Sequence, residues 1–559
     1  MSVTDQPAAE PADLSHREVL VIISGLMMAM LLAALDQTIV ASAMRVVADD
    51  LNGLSIQAWA TTAYLITATI TTPLYGKLSD LYGRKPLILI AMAIFLVGSA
   101  LSGFATTMYE LAVFRAVQGL GAGGLFSLVL AIIGDIVSPR ERARYQGYFL
   151  AVFATSSVLG PVVGGFFAGT GEILGITGWR WVFLINVPVG LLAIAVVIKV
   201  LHIPHVRREH RIDWPGALAL TMGLVPLLIV AEQGRQWGWG SARALTLIGV
   251  GVVGLVLFVL AERRIGDDAL IPLKHFRNRT FVIANGAGVV IGMGMFGGLA
   301  VLPLYLQIVK GASPTAAGLL LIPMTLGMMS GSVISGRAIA RTGRYKVFPV
   351  VGTALIVVGL LLFSRIGVDT PLWQTGLYML VFGLGLGFNM QPLMLAVQSA
   401  LPPRDMGVAT SSATFFRQMG GTLGTAVFLS ILFSTVGDRI TDAFRTVAPT
   451  PEFRAAISDP AVLADPATRP ALDVINGNPA GLSLDDSSFL NLLDPRLAKP
   501  FLIGFSESMS TVFLVAAGIV AVGFLLVVFL REVPLSSKSG LVAQREQREA
   551  AAAAAVAGD

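Results

Sequence analysis

Not one cysteine occurs among the 559 residues. That excludes a disulfide framework, thiol catalysis and thiolate-held metal, and it leaves the redox compartment open. Charge is scarce as well, at 13% Asp, Glu, Lys and Arg, against about 25% in soluble domains. Of the five histidines, His202, His205 and His210 share one basic stretch in which only Glu209 adds a ligand, too little for a metal site. The net charge of +5 is scattered over short segments, so no nucleic-acid partner is expected. No nucleophile–base pair or metal set stands out, so an enzyme is not expected, and no cofactor is called for.

What the chain has in abundance is apolar sequence, 55% of its residues. Runs of about 18 apolar residues or more read as membrane-spanning helices. Fourteen are expected, the first six near 19–44, 57–76, 86–104, 107–136, 144–168 and 180–201. Two follow near 213–231 and 244–262, and the last six near 280–308, 314–336, 347–365, 372–400, 406–434 and 504–530. The first run follows a short polar N-terminus, carries Asp36 and lacks a small-residue cleavage site, so it is read as a retained span.

The chain also repeats itself. Gly76, Gly83 and Arg84 recur as Gly336, Gly343 and Arg344, and Gly147, Gly160 and Gly164 recur as Gly407, Gly420 and Gly424, all at an offset of 260 residues. That offset maps spans 1–6 onto spans 9–14 and leaves spans 7 and 8 as a central insert. The expected organisation is a cytoplasmic N-terminus (1–18), a six-helix bundle (19–201), an inserted helix pair with flanking loops (202–279), a second six-helix bundle (280–531) and a cytoplasmic tail (532–559). Parallel repeats of this kind are a transporter architecture in which substrate sits between the halves near the bilayer midplane.

Lysine and arginine set the orientation. With the N-terminus in the cytoplasm, 25 basic residues fall inside and six in the short outer loops, while six more lie in the long 435–503 segment. Both termini are therefore expected inside a plasma membrane crossed many times. Residues 435–503 are broken by eight prolines and read as a partly ordered outer loop, open to a role as a cap or a partner-docking element.

Ionisable residues within spans are expensive and mark function. Asp36 and Arg115 each lie about eight residues from the outer ends of spans 1 and 4, so they can meet at about 12 Å depth. A carboxylate there, held between desolvation and a guanidinium, can bind and release a proton; a static ion pair between two helices is the other reading. Spans 9–13 hold no Asp or Glu in their interiors. Arg417, near the middle of span 13, therefore lacks a carboxylate in its own half. It is open to pairing across the cavity, to an anionic substrate group or to backbone carbonyls.

In Gly76–Lys85, Gly76 and Gly83 permit a sharp reversal, Asp80 can cap a helix N-terminus and Arg84 can pair with Asp135, forming a latch that breaks in the opposite state. Gly160-Pro161 with Gly164-Gly165 supplies a kink and a small face. Gly119-Leu-Gly121-Ala-Gly123-Gly124 matches a nucleotide-loop pattern, but inside a span it is a packing surface, as is Gly383-Leu-Gly385-Leu-Gly387. Thr38, Tyr64, Thr67, Asn389, Gln391 and Gln398 are candidate cavity residues, with adaptable methionine surface at Met293, Met295, Met324, Met328 and Met329.

Together these motifs resemble a known family. Gly76–Lys85 is similar to the loop signature of the major facilitator superfamily. Leu35-Asp36-Gln37-Thr38, Arg115-Ala-Val-Gln118-Gly119 and Leu159–Gly165 resemble three motifs of its proton-coupled drug exporters. Trp179-Arg180-Trp181 through Pro188, with the fourteen expected spans, is similar to the fourteen-helix drug:proton antiporter branch. The resemblance implies an all-α polytopic protein with two six-helix bundles plus two inserted helices. It makes Asp36 the proton-linked carboxylate with Arg115 as partner, Gly76, Asp80, Gly83, Arg84 and Asp135 the cytoplasmic gate, and Gly160–Gly165 the antiporter motif. Gln118 joins the tentative cavity set. The implied activity is proton-gradient-driven export of amphipathic drug-like or lipid-like compounds by alternating access, with protons and membrane lipids as partners. Moving a lipid or glycolipid to an extracytoplasmic carrier docked on 435–503 is the nearest alternative, and a non-transporting membrane sensor the other.

Overall fold

The computed structural model describes residues 16–51, 58–138, 162–201, 213–402, 405–460 and 493–533, with isolated positions in 152–160 and at 462, 468, 490 and 535. The first bundle holds α1 (His16–Asp50), α2 (Ala58–Tyr82), α3 (Arg84–Gly103), α4 (Met108–Ile136), α5 (162–169) and α6 (Asn186–Val200). The inserted pair is α7 (Trp214–Trp237) and α8 (Ala242–Ile265). The second bundle holds α9 (Arg279–Leu304), α10 (Ile322–Thr342), α11 (Val347–Phe363), α12 (Leu372–Ala400), α13 (Met406–Val447) and α14 (Pro495–Val528). Among the described residues, 11 helices are long and apolar enough to cross a membrane. α2 is diluted by threonines, α11 is only 17 residues long, and most of the fifth expected span lies outside the described residues. Fourteen spans therefore remain an expectation.

Small residues decide how closely these helices approach. A Cβ on Gly121 would strike the Ala91 carbonyl of α3, and one on Gly123 the Ala68 carbonyl of α2. In the second bundle a Cβ on Gly383 or Gly387 would strike the Met324 or Met328 carbonyl of α10. The two glycine runs thus seat α4 and α12 in equivalent positions, as bilayer packing without a hydrophobic drive between helices requires.

One expectation needs correction, and two local features add to the expected pattern. Lys77–Tyr82 is not loop but the last turns of α2, so Gly76 makes no reversal; the chain turns at Gly83, whose φ of 97° suits glycine. The described ends of the 435–503 segment are helical. α13 runs on to Val447, a short helix follows at Pro451–Ser458, and α14 starts at Pro495. Phe444 stacks edge-on to Phe453 and Phe501 with centroids 5.9 and 5.1 Å apart, which ties this extension to α14. Finally, a minimal hairpin pairs Glu172–Ile173 with Ile176–Thr177 through Leu174 and Gly175, both at positive φ.

The halves meet where α13 lies against α2. α7 packs on this seam, its Leu220 and Leu224 clustering with Ile66, Ile70 and Phe415, while α8 covers α7 and exposes Val252, Val256 and Leu260 outward. The basic stretch with His202, His205 and His210 lies outside the described residues.

Candidate functional site

Asp36 is completely buried in the first bundle. Its Oδ2 accepts from Arg115 Nη1 at 2.6 Å, and its Oδ1 accepts from Gln118 Nε2 at 2.9 Å and Asn186 Nδ2 at 2.8 Å. The spacing of Arg115 and Gln118, one turn apart on α4, presents both donors on one face. Arg115 also donates to Gln118 Oε1 at 2.7 Å, and its guanidinium lies 4.2 Å from the centroid of the Tyr64 ring. Asn186 is itself held by Ser99, 2.9 Å away, whose hydroxyl donates to the Phe183 carbonyl. Five helices, α1, α2, α3, α4 and α6, thus contribute to the network around one carboxylate. A buried charge is tolerated only when paired and hydrogen-bonded in this way.

Asn186 and Ser99 were not among the sequence candidates. The signal was present: Asn186 is the one amide in the apolar run from Trp181 to Val200, and a polar side chain there needs a buried partner. The Thr38 hydroxyl donates to the Ser156 carbonyl at 2.9 Å. A Cβ on Gly160 would collide with Thr38, and one on Gly164 with Ser42 and Ile39, so this glycine face lets the fifth span press against α1. Gly165 faces open space, and Pro161 lies outside the described residues. Tyr64 is buried under Arg115 rather than exposed to a cavity, and Thr67 ties α2 to the Ala116 carbonyl of α4 at 2.8 Å.

At the far end of α2 a second constellation spans both halves. Arg84 pairs with Asp80 and with Asp135, each at 2.7 Å, and donates to Ser79 Oγ. Asp80 in turn accepts from the Gly407 and Val408 amides at 3.2 Å each. These belong to the first turn of α13, which has no side-chain cap of its own, since Asp405 at the N-cap makes no capping bond. The carboxylate of one half therefore caps a helix of the other. Gly76 lets α2 and α13 touch: a Cβ there would meet Ser411 and, at 2.9 Å, the Gly407 carbonyl. The repeat at Gly336–Lys346 is built differently, with the Tyr345 and Lys346 amides donating to Glu532 at 2.7 and 3.2 Å.

Around this latch lie further buried ionisable groups that sequence reasoning missed. Glu262 of α8 accepts from the Ile271 amide at 3.1 Å, and Asp213 accepts from Gly216 and Leu270. His275, almost fully buried, has Nε2 3.7 Å from the Asp405 carboxylate, and burial holds its imidazole below the ordinary histidine value. Asp213 and His275 lie in short inter-helix segments and Glu262 at the last turn of α8, positions that look like ordinary solvated residues.

In the second bundle a pocket opens between α9, α12 and α13, lined by Met295, Asn389, Met390, Leu393, Met394 and Arg417 among others. Asn389 is internally satisfied by Thr353 and the Gly385 carbonyl. Gln391 is buried away from this pocket and Gln398 bonds Thr410. The backbone of Met293, Met324 and Met328 lies against Gly424, Gly383 and Gly387. Of the proposed cavity set, Arg417 and Asn389 line the pocket, Gln118 and Tyr64 surround the Asp36–Arg115 pair, and Thr38 bonds across to the fifth span.

A model of the Major Facilitator Superfamily matches residues 26–425, which runs from within α1 to within α13 and takes in the seam and nearly all of these residues. The chain belongs to the major facilitator superfamily. Among relatives in that superfamily, it is 33% identical over 551 residues to the multidrug transporter protein MdtP of Bacillus subtilis, covering 95% of this chain and 96% of MdtP. It is 39% identical over 321 residues to a tetracycline resistance determinant of Streptomyces rimosus, covering 57% of this chain and 91% of that one. A solved structure of the proton:xylose symporter XylE, 15% identical, superimposes with a TM-score of 0.57 over 95% of this chain and 99% of XylE, which bears on the fold alone. As a major facilitator, the protein is a multi-pass membrane transporter rather than an enzyme.

Proposed function

We propose that this major facilitator is a proton-driven antiporter that exports amphipathic drug-like or lipid-like compounds by alternating access, with both termini in the cytoplasm. The observation that carries this reading is Asp36, a fully buried carboxylate bonded to Arg115, Gln118 and Asn186. The network is one that a single proton would rearrange. Protonation at Oδ2 removes the charge that pairs Arg115, leaving the guanidinium on Gln118 Oε1 and the Tyr64 face. An uncompensated buried guanidinium costs several kcal/mol, so α1 and α4 must shift or admit water. That shift is the coupling step. At the opposite end, the Asp80–Arg84–Asp135 latch and the α13 amides hold the cytoplasmic side shut in this conformation, and cargo enters when they part.

Export of drug-like cargo is supported by the printed names of the relatives, a multidrug transporter and a tetracycline resistance determinant. The partners required are the cargo, protons and membrane lipid. The test is ligand-driven proton release from detergent-purified protein, with tetracycline as the probe. Wild type should release protons on binding and Asp36→Asn should not; equal release from both would remove Asp36 from the mechanism.

A further inference from the structure

Arg417 sits about 16 Å along α13 from its start at Met406, at a depth where water is scarce. Among the described residues nothing accepts a hydrogen bond from its guanidinium, and no Asp or Glu occurs in the interiors of α9 to α13 within the bilayer. Elsewhere the protein pairs its buried arginines completely: Arg115 with Asp36, Arg84 with two aspartates. Arg417 instead lines the pocket beside Met295, Met390, Leu393 and Met394.

We infer that this pocket, only about 20 Å³ in the closed arrangement, takes an amphipathic organic anion as cargo when the halves part and widen it, with the acidic head on Arg417 and the apolar body on the methionine-rich wall. The inference rests on the export reading above and narrows its substrate class. An unpaired guanidinium in hydrocarbon is costly, and a planar carboxylate satisfies its fork of donors in two parallel bonds. Methionine side chains adapt to apolar bodies of differing shape. The complementary charge test points the same way. A cationic cargo would need a free carboxylate, and Asp36, the deepest one described, is already saturated by three donors within the first bundle.

The experiment is equilibrium binding of 11-(dansylamino)undecanoic acid and of its methyl ester to the full-length protein in phosphatidylcholine nanodiscs, read by dansyl fluorescence. Wild type should bind the acid at least tenfold more tightly than the ester. Arg417→Gln should bind both as weakly as wild type binds the ester, and Arg417→Lys should keep part of the preference. Equal affinities for acid and ester in wild type, or an acid preference that survives in Arg417→Gln, would overturn the inference; the wild-type comparison stands even if a variant fails to fold. Displacement of the acid by added phosphatidylglycerol would assign the site to a resident lipid headgroup and overturn the cargo reading. The measurement uses no proton gradient and no proton release, so its failure leaves the Asp36 reading standing, and the reverse.

Discussion

Replacing Asp80 by Asn should open the end of the molecule that the latch holds closed. The carboxylate does three things at once, accepting from the Gly407 and Val408 amides and pairing with Arg84. An asparagine side chain keeps one acceptor oxygen, so one amide bond and the charge on the other contacts are lost. Hydrogen bonds to charged groups contribute about 1.5–3 kcal/mol each, and a first-turn cap typically about 1 kcal/mol. Allowing for relaxation, the closed arrangement should lose about 2–3 kcal/mol relative to the open one, a 25- to 150-fold change in their ratio. The absence of native cysteine makes the assay direct, because Tyr82→Cys and Arg341→Cys introduce the only thiols for spin labels at two exposed helix ends. Pulsed electron resonance on the labelled protein should show one short distance in the Asp80 background and a second, longer population in Asp80→Asn. Identical distributions would refute the claim that this cap holds the halves together.

Other outcomes follow from the same contacts. Gly76→Ala should impair closure to a similar degree, since its new Cβ meets Ser411, and the double variant with Ser411→Gly should recover part of it in the same distance measurement. Asn186→Leu removes one of three donors to Asp36 and should cut tetracycline-driven proton release several-fold while leaving the amount of folded protein, measured by size-exclusion chromatography, unchanged. His275 is held below its ordinary protonation value by burial. The unfolded chain therefore takes up the proton first, and thermal stability should fall as pH drops below about 6.5; His275→Phe should flatten that slope between pH 5 and 7. A slope unaffected by the substitution would show that another group titrates there.

The repeat, the bundles and the Asp36–Arg115 pair were legible because bilayer physics writes them plainly: long apolar runs, glycines at matched spacing, and charges with nowhere to go but each other. The latch was half legible. That Arg84 would find Asp135 followed from both lying at the same membrane face, and that Asp80 would cap a helix N-terminus was read as well, but not that the helix is α13 of the other half, because the donors are backbone amides with no sequence signature. The same blindness explains Gly76, which looked like a turn residue and instead makes room for a neighbouring helix 331 residues later at Gly407. The place of Tyr64, buried under Arg115, was hidden for a related reason: polarity inside an apolar run can mark a buried contact as well as a cavity wall, and only packing tells the two apart. The cluster of Glu262, Asp213 and His275 escaped notice because a position in a loop or at a helix end conceals burial.

α13 begins without a cap of its own, and the group that completes it arrives on the opposite repeat. Its first turn is thus whole only while the two repeats touch, and those two amides must find water whenever they separate. Deuterium uptake at Gly407 and Val408 would then count, without any label, how often the transporter turns its other side to the world.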